Sequence, residues 1–151
     1  MERQERAAQY FLEGYNCAQA VIMAFADELK LDPKFCAKIS SSFGGGMGRM
    51  REVCGAVSGM LMVAGLLYGY DGPEEGEIKK AHYTCVQELA ESFRQENGSI
   101  ICREILKNPP SDPNPTPRTQ SFYEQRPCAR MVMTAVRIMD EYIEVHPVKE
   151  G

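Results

Sequence analysis

Six cysteines are the residues of this 151-residue chain with the most distinctive chemistry. Four of them follow a signal for the start of a helix, namely Cys17, Cys54, Cys102 and Cys128. In the first turn of a helix, free backbone N–H groups and the positive end of the helix dipole favour an anion. A thiolate is such an anion, and it is both a nucleophile and a metal ligand. From the pattern alone, a functional cysteine cluster and four scattered core thiols are equally favoured.

A different signal precedes each of the four: the N-cap residue Asn16, a glycine-rich segment at residues 44–48, the N-cap residue Ser99, and Pro127. We therefore expect the side chains of these four cysteines to share one kind of electrostatic environment, in which the pKa of a thiol is lowered.

The spacing of the cysteines excludes several familiar sites. The chain has no CxxC motif, and the four cysteines are tens of residues apart, unlike the ligands of zinc fingers and ferredoxins. Cys36 and Cys85 lie inside helical runs, and we predict that both are small buried hydrophobic residues. Any cluster of the other four must be assembled by the tertiary packing of four helix ends.

The elements that must position these residues are helices. Apolar residues recur at helical spacing along almost the whole chain. The pattern predicts an all-α, single-domain bundle spanning residues 1–151, with about five to seven helices packed around a central glycine-rich apolar helix at about residues 53–70. Residues 108–119 hold five prolines and are predicted to form a loop strapped across a surface.

Two groups of glycines need an explanation. The central helix contains Gly55, Gly59, Gly65 and Gly69, which each cost about 1 kcal/mol relative to alanine, so we expect close helix crossings there. The segment 44–48 includes Gly45, Gly46 and Gly48 and matches no phosphate-binding motif. It is interpreted as a flexible connection, or as a loop that admits a substrate or directs N–H groups at a sulfur.

Charged residues near the cysteines allow two interpretations. Arg49, Arg51, Arg103 and Arg130 could each hold a thiolate, but a solvated surface role is favoured for each. His82 precedes Cys85 by three residues, and a partly buried core histidine is favoured over a secondary metal pair.

Charge and composition limit the classes of function. The net charge is −4, with acidic and basic residues intermixed, which argues against a nucleic-acid partner. The uncharged stretch 53–70 is at the lower limit of a membrane span and lacks suitable flanking residues, so membrane insertion is not expected. The N-terminal segment MERQERAAQYF lacks the layout of a signal peptide, so a cytoplasmic location is predicted.

Four segments in order resemble a known family: NCAQAV, FGGGMGRMREVCGAVSGMLMVAGLLYG, NGSIICREIL and RPCARMV. They are similar to the C_GCAxxG_C_C family of redox-active proteins from about Gly14 to Val136. The resemblance assigns the four family cysteines to the four singled out above, and the central motif to Cys54, Gly55, Ala56 and Gly59. The family label reads GCA where this chain reads Cys-Gly-Ala, and we take the two as the same site. The resemblance also implies a transporter-linked partner, because family members are often encoded beside transporter genes.

Three functions remain open. The first is thiol–disulfide exchange or electron transfer with a redox partner, in which Cys54 is favoured as a participant because the glycine-rich segment precedes it. The second is a binding module in which the same four thiolates hold zinc or an iron–sulfur cluster. The third is an accessory protein that docks on a transporter or an enzyme. A homodimer is compatible with each of the three.

Overall fold

The computed structural model describes residues 2–73 and 76–148. These residues form nine α-helices: α1 (Arg3–Leu12), α2 (Cys17–Ala24), α3 (Ala26–Leu29), α4 (Pro33–Ser40), α5 (Gly55–Tyr68), α6 (Gly76–Asn97), α7 (Cys102–Ile105), α8 (Gln120–Gln125) and α9 (Cys128–Val145). Within the described ranges the only extended pairing is one antiparallel bridge between Val53 and Ile101. The predicted all-α class is confirmed.

The helices outnumber the predicted five to seven for two reasons. The second predicted helix is divided at Phe25, where φ and ψ are −100° and 7°, so that α2 and α3 are separate. Helix α8 was not predicted from the sequence, although Thr119 is a suitable N-cap for it. The Thr119 hydroxyl accepts a hydrogen bond from the Phe122 N–H at 3.2 Å. None of the helices in the described ranges is long and apolar enough to span a bilayer.

Two of the predicted helix starts are confirmed in detail. The Asn16 side chain accepts a hydrogen bond from the Gln19 N–H at 2.9 Å, and the Gln19 side chain accepts one from the Asn16 N–H at 3.0 Å. This reciprocal capping box begins α2 at Cys17. Asp32 caps α4, with Pro33 in its first turn.

The predicted start at Ser99 is wrong by two residues. The Ser99 hydroxyl accepts from the Ile101 N–H at 2.9 Å and forms a turn, whereas the helix itself begins at Cys102 with Ile101 as its N-cap. A single residue in extended conformation separates that turn from α7, because Ile101 bridges to Val53. The tertiary pairing therefore sets where this helix starts.

The predicted central glycine-rich helix is α5, which packs against α2, α6 and α9. Its N-terminal half is buried, and Ala56 is completely enclosed. Helix α2 is at least as central, because it contacts α1, α3, α4, α5 and α9.

Glycine explains why α2 and α5 cross so closely. A Cβ at Gly59 would lie 2.7 Å from the Ala18 carbonyl oxygen, and one at Gly55 would lie 3.2 Å from the Cys17 Cβ. The close crossing is thus confirmed at these two glycines, whereas a Cβ at Gly65 would meet nothing within 4 Å. The crossing sets the first turns of α2 and α5 side by side.

The proline-rich loop lies on the surface and is held there by the loop that follows α4. The Arg49 guanidinium donates hydrogen bonds to the Asp112 carbonyl at 2.8 Å and to the Thr116 hydroxyl at 2.6 Å. The Arg51 Nε donates to the Pro110 carbonyl at 2.9 Å. Two loops distant in sequence are therefore fastened together beside the starts of α2 and α9.

Candidate functional site

The four cysteines singled out in the sequence converge in space. Three are the first residues of α2, α7 and α9, and Cys54 is the N-cap of α5. All four line one small space of about 30 Å³, which we call the inner cavity. Cys36 and Cys85 are buried on α4 and α6, away from this cavity, as predicted.

Backbone pairing brings Cys54 and Cys102 together. The Cys54 N–H donates to the Ile100 carbonyl at 2.7 Å, and the Cys102 N–H donates to the Glu52 carbonyl at 2.6 Å. These bonds flank the single bridge between Val53 and Ile101. The segments that precede α5 and α7 are thus joined, and the two helices start next to each other.

The glycine-rich segment lies directly against this pair. Gly45, Gly46, Met47, Gly48 and Arg49 all have positive φ, between 56° and 72°, so the backbone makes a left-handed turn that glycine adopts without strain. A Cβ at Gly46 would lie 2.8 Å from the Cys102 Cβ, and Gly45 lines the inner cavity. The segment therefore packs closely against the inner cavity through its left-handed turn, and the N–H groups that reach the Cys54 sulfur come from Ala56 and Val57 instead.

A larger opening reaches only two of the four cysteines. It has a volume of about 440 Å³, and its walls are the glycine-rich segment, the proline-rich loop and α8. We call it the outer cleft. Cys17 and Cys128 line both the outer cleft and the inner cavity, whereas Cys54 and Cys102 line only the inner cavity.

Burial is the main influence on the protonation of Cys54 and Cys102, which we call the inner pair because they line only the inner cavity. It raises the pKa of Cys54 to about 12, even though the N–H groups of Ala56 and Val57 donate to its sulfur. Burial also raises the pKa of Cys102, against the effect of the Arg51 guanidinium, which donates to the sulfur at 3.7 Å. The expectation that each helix start lowers the pKa of its thiol is wrong for these two cysteines. The cost of desolvating a thiolate exceeds the stabilisation that the N–H groups of the helix terminus provide.

The pKa values of Cys17 and Cys128, which we call the outer pair because they also line the outer cleft, are shifted in opposite directions. The Cys17 thiol donates a hydrogen bond to the Cys128 sulfur, and this bond lowers the pKa of Cys128 to about 7, with burial opposing it. The positive charges of Arg126, Arg118 and Arg51 lower this pKa further. The same hydrogen bond, together with burial, raises the pKa of Cys17 well above its ordinary value. Cys128 is therefore the cysteine of this pair that ionises more readily near neutral pH.

The arginines do not all occupy the surface. Arg51 is only 4% exposed, so its predicted surface role is wrong: the left-handed turn carries it inward, onto Cys102. Arg103 is at the surface as predicted, paired with Glu52 at 2.6 Å, and Arg130 is exposed.

Two arginines of the site were missed from the sequence. Arg118 donates to the Phe11 and Tyr15 carbonyls, both at 3.1 Å, and Arg126 lies over the Phe122 ring at 5.1 Å. Arg118 is in the loop after the prolines, and no pattern connects it to a cysteine. Arg126 lies two residues before Cys128, and this proximity was the one available signal.

Thiolates are suitable ligands for zinc and for iron–sulfur clusters. In the described residues, however, no three His, Cys, Asp or Glu side chains lie close enough together to hold a metal ion. His82 is half-buried and packs edge-on against Tyr70, with 6.0 Å between ring centroids, at the edge of the protein rather than in its hydrophobic core. The arrangement thus presents four thiols around a cavity rather than a formed ligand set.

Comparison with known proteins identifies the family. A family model described as "Putative redox-active protein (C_GCAxxG_C_C)" matches residues 15–142. The match covers most of the chain and includes all four cysteines of the cluster. Searches of curated proteins and of solved structures each returned no match.

Proposed function

We propose that this chain, which belongs to the C_GCAxxG_C_C family, reduces or forms disulfides through Cys128 as nucleophile and Cys17 as resolving thiol. One observation carries the proposal: these two cysteines lie close enough for each to change the pKa of the other, and both line the outer cleft. The inner pair has no comparable access, since it lines only the small cavity.

The proposed exchange has two steps. The Cys128 thiolate attacks one sulfur of a substrate disulfide, forms a mixed disulfide and releases the other sulfur as a thiolate. Cys17 then loses its proton to that leaving thiolate or to water and attacks the Cys128 sulfur. The second step forms a Cys17–Cys128 disulfide and releases the rest of the substrate as a thiolate, which takes up a proton. Two electrons pass from the protein dithiol to the substrate, and the reverse sequence oxidises a dithiol.

Cys54, the participant favoured from the sequence, is a poor nucleophile in this arrangement. It is 6% exposed, and its raised pKa keeps it protonated at neutral pH. Under the proposal, Cys54 and Cys102 remain thiols that pack the inner cavity. The proposal includes a cytoplasmic location, where free thiols are kept reduced, and a redox partner that regenerates the dithiol.

The test is a redox titration read at each cysteine. The protein is purified without oxygen, equilibrated in graded thiol–disulfide buffers, alkylated after denaturation and analysed by mass spectrometry. Cys17 and Cys128 should lose their free thiols together in one two-electron step, while Cys54 and Cys102 stay alkylatable. Cys36→Ala is the matched control, since it removes a buried cysteine outside the cluster and should leave the step unchanged.

Three outcomes would contradict the proposal. If all four cysteines resist alkylation of the native protein until a chelator or acid is added, the site is a metal centre. If the paired loss falls on Cys54 and Cys102, the wrong dithiol has been assigned. If the four thiols oxidise independently, there is no redox pair, and an accessory role with a transporter-linked partner becomes the better explanation.

A further inference from the structure

We propose that the outer cleft selects anionic substrates, and specifically small disulfides that carry carboxylate groups. The inference rests on the proposed function, because it names the substrate class of the same cysteine pair.

The residues that line the outer cleft are strongly one-sided in charge. Four are arginines, and none is an aspartate, a glutamate or a lysine: Arg49, Arg51, Arg118 and Arg126. The chain as a whole has a net charge of −4, so this local excess of positive charge runs against the composition of the protein. A concave site lined by one sign of charge concentrates ligands of the opposite sign.

Most of these charges lack a carboxylate partner. Arg49 pairs with the exposed Asp112 at 3.9 Å. No ion pair joins Arg51, Arg118 or Arg126 to a carboxylate in residues 2–73 and 76–148. Arg51 is 4% exposed, so its charge is largely desolvated, and it is offset by the Pro110 carbonyl and by the nearby Cys128 sulfur rather than by a carboxylate.

Neutral groups orient these guanidiniums without neutralising them. Arg51 and Arg118 donate to backbone carbonyls, those of Pro110 and Phe11 among them. The guanidinium carbon of Arg126 lies over the Phe122 ring, 5.1 Å from its centroid. A guanidinium donates through N–H groups in its own plane, which match the two oxygens of a carboxylate.

The same charges lie close to the reacting sulfur. Arg126, Arg118 and Arg51 are near enough to Cys128 to stabilise its thiolate. A carboxylate held by Arg126 or Arg118 would therefore bring the attached disulfide next to Cys128. The leaving sulfur becomes a thiolate in the attack, and the same guanidiniums stabilise that developing charge.

The size of the space favours a small molecule. The cleft of about 440 Å³ falls within the usual range of small-ligand sites, about 300–1,000 Å³. A disulfide of two three-carbon acids fits such a space, whereas a folded protein surface would need a broad contact area.

Three disulfides of similar size and different charge provide the test: 3,3′-dithiodipropionate (anionic), bis(2-hydroxyethyl) disulfide (neutral) and cystamine (cationic). Rates of oxidation of the Cys17–Cys128 pair are measured with the reduced protein at low and high salt. Each rate is divided by the rate of the same disulfide with a free small thiolate, which removes differences in leaving-group reactivity. The normalised order should be anionic, then neutral, then cationic, and the differences should shrink as salt is added.

Arg126→Gln and Arg130→Gln form a matched pair of variants. Each removes one positive charge two residues from Cys128, but only Arg126 lines the outer cleft, and Arg130 is exposed outside it. We expect R126Q to lower the ratio of the anionic to the neutral rate about three- to fivefold. R130Q should leave the ratio unchanged. Any effect of Arg126 on the pKa of Cys128 cancels in this ratio, because both disulfides react with the same thiolate.

The outcomes separate the two proposals. Equal normalised rates for the three disulfides, a preference for cystamine, or equal effects of R126Q and R130Q would overturn anion selection and leave the dithiol mechanism intact. If none of the three disulfides oxidises Cys17 and Cys128 as a pair, the proposed function itself fails.

Discussion

Replacing Cys17 by alanine tests the electrostatic basis of the proposed nucleophile. The hydrogen bond from the Cys17 thiol is the largest cause of the low pKa of Cys128, which is about 7. A hydrogen bond to a charged acceptor contributes about 1.5–3 kcal/mol, and about 1.4 kcal/mol corresponds to one pH unit. C17A should therefore raise the midpoint for ionisation of Cys128 by about 1–2 pH units. Arg126, Arg118 and Arg51 remain and keep the midpoint from rising further.

The rates can be worked out from that shift. At pH 7 the thiolate fraction at Cys128 falls from about one half to between about 10% and 1%. A more basic thiolate is intrinsically more reactive, with a Brønsted coefficient of about 0.4–0.5, which offsets part of the loss. The net rate at pH 7 should fall about two- to eightfold, and the plateau rate at high pH should rise about three- to tenfold.

The assay is alkylation of the native protein by iodoacetamide across pH 5–10, with the modification of Cys128 read by mass spectrometry. C17S is the informative second variant, because a serine hydroxyl also donates a hydrogen bond. It should shift the midpoint less than C17A does. A C17A midpoint equal to that of the unaltered protein, or equal shifts in C17S and C17A, would refute the role of this hydrogen bond. Circular dichroism verifies that the variants remain folded.

Other predictions concern stability. Gly59→Ala should lower the free energy of unfolding by about 1–3 kcal/mol, because its Cβ would meet the Ala18 carbonyl oxygen at 2.7 Å. Gly65→Ala in the same helix should raise the free energy of unfolding by about 0.5–1 kcal/mol, because its Cβ would meet nothing within 4 Å. Urea unfolding of both variants measures these changes. Asn16→Ala should cost about 1 kcal/mol in the same assay, since it removes the capping box of α2, and an unchanged midpoint would contradict that role. The pKa of Cys54 is raised from 9.0 to about 12 in the folded protein. The contribution of this thiol to the free energy of unfolding is therefore fully present below pH 9 and is lost as the pH rises toward 12. Stability should therefore fall over that range less steeply in Cys54→Ala than in the unaltered protein, and equal slopes would contradict the assignment.

Local rules were sufficient for much of the fold. The capping box at Asn16 and the Asp32-Pro33 start act within a few residues of themselves, so the sequence displays them directly. The glycines of α5 indicated a close crossing because glycine is costly inside a helix, but the sequence did not name α2 as the neighbouring helix. Where a long-range contact intervened, the sequence-based boundary failed. The start of α7 is displaced from Ser99 because Ile101 pairs with Val53.

The identity of the four cysteines was readable from the sequence, because each follows a helix-start signal or a family motif. Their separate roles were not. Whether a thiol at a helix start is a thiolate depends on the balance between desolvation and nearby charge, and much of both comes from residues distant in the chain. Arg118 and Arg51 reach Cys128 only through tertiary packing, and the proline-rich loop closes one wall of the cleft. The sequence by itself thus singled out four thiols, whereas the tertiary structure brings them together, lowers the pKa of Cys128 beside an open cleft and raises that of the buried Cys54.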